Sequence, residues 1–429
     1  MKKYSLPYGK TVQEVMLPEE HVICDMHGNE STICKDVAAA TLEAIRNPIG
    51  RKPLREIVKA GESVVIVISD ITRLCGTDIF LPVIVKELND VGVKDEDITL
   101  LVATGTHRAH TPEEDIVVVG AELAKRLKIV NHDCKDPEKN VYVKTTSTGN
   151  KAYIDKLLVD ADRVIITGAV TLHPFAGYGG GRKAVLPGCA SYDTIIFNHV
   201  NTLDPVPGNG CNPLADVALV EGNPVALDMK EGCAVIDPDF LVNTVFTPDG
   251  EISSVVAGDW WEAWEKGTKE LIKMSGVEIP ELADVVIASP GGFPKDMNLY
   301  QATKCHMNAA FAIKPGGILI FTMECPDIKE PAIFADYASK DDLVAFEQEL
   351  RENFTVPGFV AFKSRMIVSK ASAAYLVTKP ENFDFVRATG HIPCASLEEA
   401  WTLAQAKLKE QGKEDYTITI MGHGSATLP

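Results

Sequence analysis

Apolar and polar positions along this chain fall into two alternating registers, unbroken β-branched runs and stretches with helical spacing. Ser63-Val-Val-Ile-Val-Ile-Ser69, Ile98 to Ala103 and Arg163-Val-Ile-Ile-Thr-Gly-Ala-Val170 are continuous apolar runs. Each reads as a strand covered on both faces. Asp36 to Arg46 and Phe80 to Val91 have helical spacing, and Asn47-Pro-Ile-Gly50 closes the first with breaker residues. The strands empty into polar segments: Asp70-Ile-Thr-Arg73, Thr104-Gly-Thr-His-Arg108, and the chain around His173. Strand, polar exit and helix in repetition predict a parallel α/β sheet. Right-handed crossovers then place the exits on one edge, so Asp70, Arg73, His107 and His173 are expected to converge.

The pattern restarts later. Residues 200–230 are rich in Asn, Pro and Gly and read as loop followed by an amphipathic helix. Asp239 to Phe246 and Ile252 to Gly258 read as strands around a turn at Pro248-Asp-Gly250. Trp260 to Met274 reads as a helix whose early tryptophans are expected to face another surface, such as a domain seam. A second α/β set follows: strand Ala283 to Ser289, exit Pro290 to Asn298, helix from Leu299, strand Ile318 to Met323, and a charged loop from Glu324 to Pro331. Tyr416 to Met421 is a last strand. The expected architecture is therefore two α/β domains with mainly parallel sheets and an active-site cleft between them. The first is expected to span 1–270 and to be rejoined by 405–429, with 275–402 closing over the site.

Composition narrows the function classes. Among 429 residues, 42 basic against 60 acidic side chains give a net charge of −18. That balance argues against nucleic acid or an anionic membrane as partner, since both need extended basic surface. No apolar run approaches the roughly 18–20 residues of a membrane span, and the first residues lack the apolar core of a secretion signal. The ten cysteines include no C-x-x-C pair. Reduced thiols in a cytoplasm are the expectation.

The densest chemistry lies between Leu172 and His199, where two imidazoles bracket a glycine run and an Arg182-Lys183 pair. Phosphate motifs fit poorly. Arg182 stands where a Walker A loop needs its second glycine, Ala184 replaces the hydroxyl residue, and the G-x-G-x-x-A match at Gly179 lies well past its strand. The residues alone leave four readings open. His107, His173 and His199 could bind zinc with one open position, or His107 and His173 could form a general acid/base pair. Lys183 could be a covalent attachment point, and Arg73 with Lys304 could clamp a carboxylate.

Five separated segments, in order, decide among these by resemblance. They are Ser69-Asp-Ile-Thr-Arg73, Ala103-Thr-Gly-Thr-His-Arg108, His173-Pro-Phe-Ala-Gly-Tyr-Gly-Gly-Gly-Arg-Lys-Ala-Val-Leu-Pro-Gly188, Ser191-Tyr-Asp-Thr-Ile-Ile-Phe-Asn-His199, and Gly291-Gly-Phe-Pro-Lys-Asp-Met-Asn-Leu-Tyr-Gln-Ala-Thr-Lys304. With them the chain resembles the nickel-dependent lactate racemase family over nearly its whole length. These enzymes carry a nickel-pincer nucleotide derived from nicotinic acid. The resemblance implies racemisation or epimerisation of a 2-hydroxy acid by reversible hydride transfer to that cofactor. It also implies Lys183 as covalent tether, His199 as ligand of Ni(II) beside the cofactor's two sulfurs and one carbon, and His107 and His173 as acid/base pair. Asp70, Arg73, Gly180, Gly181 and Arg182 are implied at the cofactor, and Arg73, Tyr300, Gln301 and Lys304 at the substrate. Cofactor-synthesis enzymes are the implied partners.

Three departures bear on substrate. Leu74 follows Arg73 where the lactate enzymes usually have proline, and Pro174 follows His173. The segment Glu324-Cys-Pro-Asp-Ile-Lys-Glu-Pro-Ala-Ile-Phe334 lacks the Asp-Gly-x-Gly pattern common there. If it lines the pocket, the substrate differs from lactate. The rival readings are a His-ligated metal hydrolase without the nucleotide and a non-catalytic cofactor-binding homologue.

Overall fold

Strands form where the apolar runs are longest, because only a sheet covered on both faces removes every side chain of such a run from water. The computed structural model describes residues 1–429. Val64–Ser69, Ile98–Ala103 and Arg163–Val170 are strands as expected, and Val64 to Ile68 are at most 5% exposed. Burying each such Val or Ile stabilises the fold by about 1.5–3 kcal/mol.

The chain divides into two units, one of residues 31–202 and 213–273, the other of 1–30, 203–212 and 274–429. The first is built on a six-stranded sheet in the order Ile252–Gly258, Phe240–Phe246, Arg163–Val170, Val64–Ser69, Ile98–Ala103, Lys128–Asn131. Neighbours are parallel except the outermost pair, Phe240–Phe246 and Ile252–Gly258, which is an antiparallel hairpin. The helix Thr77–Asp90 packs Phe80, Leu81, Ile84, Val85 and Leu88 into the core beside this sheet. It begins three residues earlier than its periodicity predicts, because Gly76 takes a left-handed φ of +80° that turns the chain directly into it.

The order matters for the site. Val64–Ser69 lies between Ile98–Ala103 and Arg163–Val170. The chain therefore builds outward on one side of Val64–Ser69 and then crosses to the other, a switch point where loops at the strand ends diverge and leave a crevice.

The second unit holds another six-stranded sheet, ordered Ile392–Cys394, Ala373–Val377, Ile313–Thr322, Ala283–Ala288, Ile418–Met421, Val22–Met26, with every neighbouring pair parallel. The domain boundaries expected from sequence need correction here. The last strand does not return to the first sheet; it pairs with Ala283–Ala288 and Val22–Met26. The first 30 residues also belong to this second unit rather than to the first. The physical reason is that Ile418, Ile420, Leu6 and Leu17 find their apolar partners in the core of this sheet, with Val285 and Ile287. No helix is long and apolar enough to cross a membrane.

Candidate active site

The three neighbouring strand exits of the first unit bring their polar residues together as the alternation of strand and polar exit predicted. Asp70 caps a short 3-10 turn over Ile71–Arg73 by accepting the Thr72 N–H at 3.0 Å. Its second oxygen meets Nδ1 of His107, from the adjacent exit, at 2.5 Å. Burial alone would raise the Asp70 carboxyl, but hydrogen bonds from His107 and Thr72 together pull it below its ordinary value. An ionised carboxylate only accepts, so Nδ1 of His107 bears a proton and Nε2 keeps the lone pair. The His107 side chain is 47% exposed, whereas Asp70 is buried. Gly105, at φ +54°, lets this exit loop turn close to the Lys183 segment, where its N–H donates to the Gly188 carbonyl at 2.9 Å.

At the third exit the chain forms a small hairpin, Leu172–His173 against Gly177–Tyr178, and then a 3-10 turn over Gly181–Ala184. The Ala176 N–H donates to Nδ1 of His173 at 3.3 Å, so the neutral ring holds its proton on Nε2. That Nε2 lies 3.3 Å from Nζ of Lys183. Burial, then the charges of Lys183, Arg73 and His199, hold His173 well below its ordinary range. Lys183 is likewise held well down by burial and by Arg182 and Arg73. Both groups are therefore held toward their uncharged forms.

His199 comes from the last turn of the helix Tyr192–Val200 and is 5% exposed. Its pKa is pushed down to about 3, first by burial and then by the Lys183 charge. Phe175 stands among these groups. Its ring is edge-on to His173 at 4.5 Å and to His199 at 5.2 Å, and Nζ of Lys183 lies 5.8 Å from its centre. Phe175 was not singled out from sequence, because a phenylalanine two residues after a histidine carries no signal of its own.

The glycine run packs tightly against the protein around it. Gly180 and Gly181 have φ of +69° and +53°, and a Cβ on either would strike protein: Asn243 and the Ala169 carbonyl for Gly180, Trp264 for Gly181. The Gly181 N–H donates to Asn243 Oδ1 at 2.8 Å. The glycines thus allow close approach of strand and tryptophan, not of a ligand alone. Trp264 donates its indole N–H to the Gly179 carbonyl at 2.8 Å, and the Arg182 guanidinium stacks 4.2 Å above its ring. The tryptophans expected at a domain seam lie within the first unit, with Trp264 beneath this loop and Trp260 hydrogen-bonded to Asp237.

Arg182 is fully buried and pushed down to about 9 by burial. One of its nitrogens donates to the Ala176 carbonyl at 2.7 Å, while Nε and Nη1 have no protein acceptor. Arg73 is exposed, with Nη1 donating to the Thr72 carbonyl at 3.1 Å.

Tyr300, Gln301 and Lys304 stand on the helix Leu299–Ala309 of the second unit, which Asn298 caps by accepting the Gln301 N–H at 2.9 Å. Lys304 Nζ donates to Gln301 Oε1 at 3.2 Å. The Tyr300 ring meets the edge of Phe334 at 5.4 Å. Phe334 ends the segment that begins at Glu324. No group of three or more His, Cys, Asp or Glu side chains is arranged to hold a metal ion. His107, His173 and His199 do not form a three-histidine zinc centre.

Residues 8–210 match the model of the lactate racemase N-terminal domain, and residues 279–428 that of the lactate racemase C-terminal domain. A lactate racemase from Thermoanaerobacterium thermosaccharolyticum is 29% identical over 421 residues, covering 96% of both chains. One from Lactiplantibacillus plantarum is 31% identical over 354 residues, covering 79% of this chain and 81% of that one. The structure of the T. thermosaccharolyticum lactate racemase apoprotein superposes with a TM-score of 0.85 at 28% identity, over 100% of this chain and 99% of that one. A Thermotoga maritima protein shares the fold with a TM-score of 0.62 at 18% identity, over 92% of this chain and 99% of that one.

Proposed function

Because the chain belongs to the lactate racemase family and is an isomerase, we propose that it inverts the carbinol carbon of a 2-hydroxy acid, with Lys183 tethering a nickel-pincer nucleotide and His199 holding its nickel. One arrangement carries this reading: Lys183, held toward its uncharged form, lies 3.3 Å from His173, and one phenylalanine ring touches both His173 and His199. An amine must be deprotonated to form a covalent bond, and burial with two neighbouring guanidinium groups favours that state in Lys183. A neutral imidazole is what a metal accepts, and His199 is neutral throughout the physiological range. The two Arg182 nitrogens without protein acceptors suit an anionic group such as a nucleotide phosphate. These residues fit the cofactor.

The chemistry of the substrate explains why such a group is needed. The Cα–H beside an ionised carboxylate is a poor acid, and leaving as hydride needs an acceptor that no side chain supplies. When bound, the cofactor supplies that acceptor. The chain's own residues manage the proton. Inversion needs a base for each enantiomer, and His107 and His173 are the two imidazoles at the strand exits. Asp70 fixes the His107 tautomer and stabilises the imidazolium formed as His107 takes the hydroxyl proton. His173, held toward its neutral form by burial, takes that proton from the other enantiomer once its own ring proton has passed from Nε2 to Nδ1. Arg73 presents a fork suited to the substrate carboxylate, and the resemblance gives Tyr300, Gln301 and Lys304 a substrate role as well.

The test is a panel of 2-hydroxy acids, including lactate, malate, phenyllactate, 2-hydroxyglutarate and sugar acids, offered to protein made alongside the cofactor-synthesis enzymes. Inversion of one member, with a Cα deuterium kept through the reaction, supports the reading. An unmodified chain holding zinc sinks it, as does a deuterium that washes into water.

A further inference from the structure

Behind His199 lies a buried polar chain that neither sequence nor resemblance assigns. Asp228, from the helix Pro224–Ile236, is fully buried with no cation beside its carboxylate. Four neutral donors satisfy it instead: Thr146 Oγ1 at 2.5 Å and Thr148 Oγ1 at 2.8 Å on one oxygen, Asn150 Nδ2 and Asn198 Nδ2 at 2.8 Å each on the other. Asn198 is itself fully buried, and its amide nitrogen also donates to the Val225 carbonyl at 3.0 Å. Both neighbours of that nitrogen are pure acceptors, which settles which end of the Asn198 amide is nitrogen. Its Oδ1 is thereby directed at Nδ1 of His199, 3.0 Å away. An amide oxygen only accepts, so Nδ1 of His199 bears the proton.

We infer that Asn198 and Asp228 are positioning residues that lock His199 in the tautomer whose Nε2 presents a lone pair to nickel. This rests on the reading of His199 as the metal ligand. Metal-binding histidines donate their second ring N–H to an acceptor that fixes ring orientation, and loss of that acceptor weakens metal binding by roughly 10–100-fold. Asp228 does not touch His199. It acts by holding the Asn198 amide against rotation, which would turn an N–H toward the ring and favour the other tautomer. The side chains come from the segment after Asn140–Thr145, from the Tyr192–Val200 helix and from the Pro224–Ile236 helix, so the device exists only once these pack together.

Two measurements test it. In cofactor-free protein with nitrogen-15 histidine, the His199 signal, identified by its loss in His199→Gln, should show a protonated Nδ1 and an unprotonated Nε2. In Asn198→Ala it should shift toward the other tautomer, and in Asp228→Asn in the same direction. In holoenzyme made with the cofactor-synthesis enzymes, both variants should keep the lysine adduct by intact mass. They should also surrender nickel to a competing chelator at about ten-fold lower concentration or less. Thr148→Ala, which removes one donor to Asp228 without touching Asn198, should cost stability yet leave tautomer and nickel unchanged, so simple loosening of the fold is separable from the relay. An unchanged tautomer in Asn198→Ala and Asp228→Asn with nickel retention within about twofold would overturn the inference. If His199→Gln holoenzyme itself keeps its nickel, the reading of His199 as ligand fails, and the relay has no metal to serve.

Discussion

Nζ of Lys183 lies 3.3 Å from Nε2 of His173, and the lysine helps to hold the imidazole toward its neutral form. His173 is held down by burial first and by Lys183 next, while Lys183 is held down by burial and by the guanidinium groups of Arg182 and Arg73. Replacing Lys183 by methionine removes a positive neighbour at constant volume. The His173 pKa should rise toward its ordinary 6.5 in Lys183→Met, read by an NMR titration of its ring signals. No movement would mean that Lys183 plays no part and that burial and the other neighbouring charges set it. The same variant should carry no covalent adduct by intact mass.

His107 and His173 are both expected to be needed, each for one direction of proton movement. His107→Ala and His173→Ala should each lower kcat by about 10²–10⁴-fold while the adduct remains. Steady-state rates in both directions, with the mass spectrum as control, check this. Loss of the adduct in both variants would reassign them to cofactor attachment.

Asp70→Asn keeps the shape of the Asp70–His107 contact but offers an amide that can turn its N–H toward the ring. The His107 tautomer is then no longer fixed, and kcat should fall by up to about 10⁴-fold with little change in stability. Thermal unfolding run beside the kinetics separates the two effects. A variant with wild-type kcat would show the contact to be structural only.

Trp264 supports the tether loop through the Gly179 carbonyl, the Gly181 contact and the Arg182 stack. Trp264→Ala should cost about 3–5 kcal/mol of stability and lower the fraction of chains that acquire the adduct. Urea unfolding and intact mass read the two. Full modification with a stable fold would argue that the loop stands without its tryptophan.

Acid should weaken the second unit through a buried histidine pair, His306 and His391, whose rings are 5.0 Å apart. Burial holds His306 well down and pushes His391 down to about 3. The unfolded chain protonates both near 6.5, whereas the folded chain does not. The unfolded state therefore binds more protons, and stability falls as pH drops from about 6.5 toward the folded values, by up to about 1.4 kcal/mol per unit for each group. Urea midpoints between pH 7.5 and 5 check the slope, and His391→Gln should reduce it. A flat profile over that interval would contradict it.

Strand, exit and helix were legible in the chain because their signals are local. A β-branched run can be hidden only inside a sheet, and the residues that end it are by default at a strand exit, which is why Asp70, Arg73, His107 and His173 could be grouped before any coordinates. The resemblance of five ordered segments to the lactate racemase family likewise singled out Lys183 and His199. Tertiary structure decided the rest. Strand order made Val64–Ser69 the neighbour of two other exits, and pairing of Ile418–Met421 with Ala283–Ala288 assigned the chain ends to the second sheet. It also put Phe175 between two histidines, Trp264 under the glycines, and Asp228 behind Asn198. Those contacts join residues many positions apart, and a buried hydrogen bond or ring contact leaves no periodicity in the sequence. Its partners are chosen only when the packed elements exclude water and each polar group must find another.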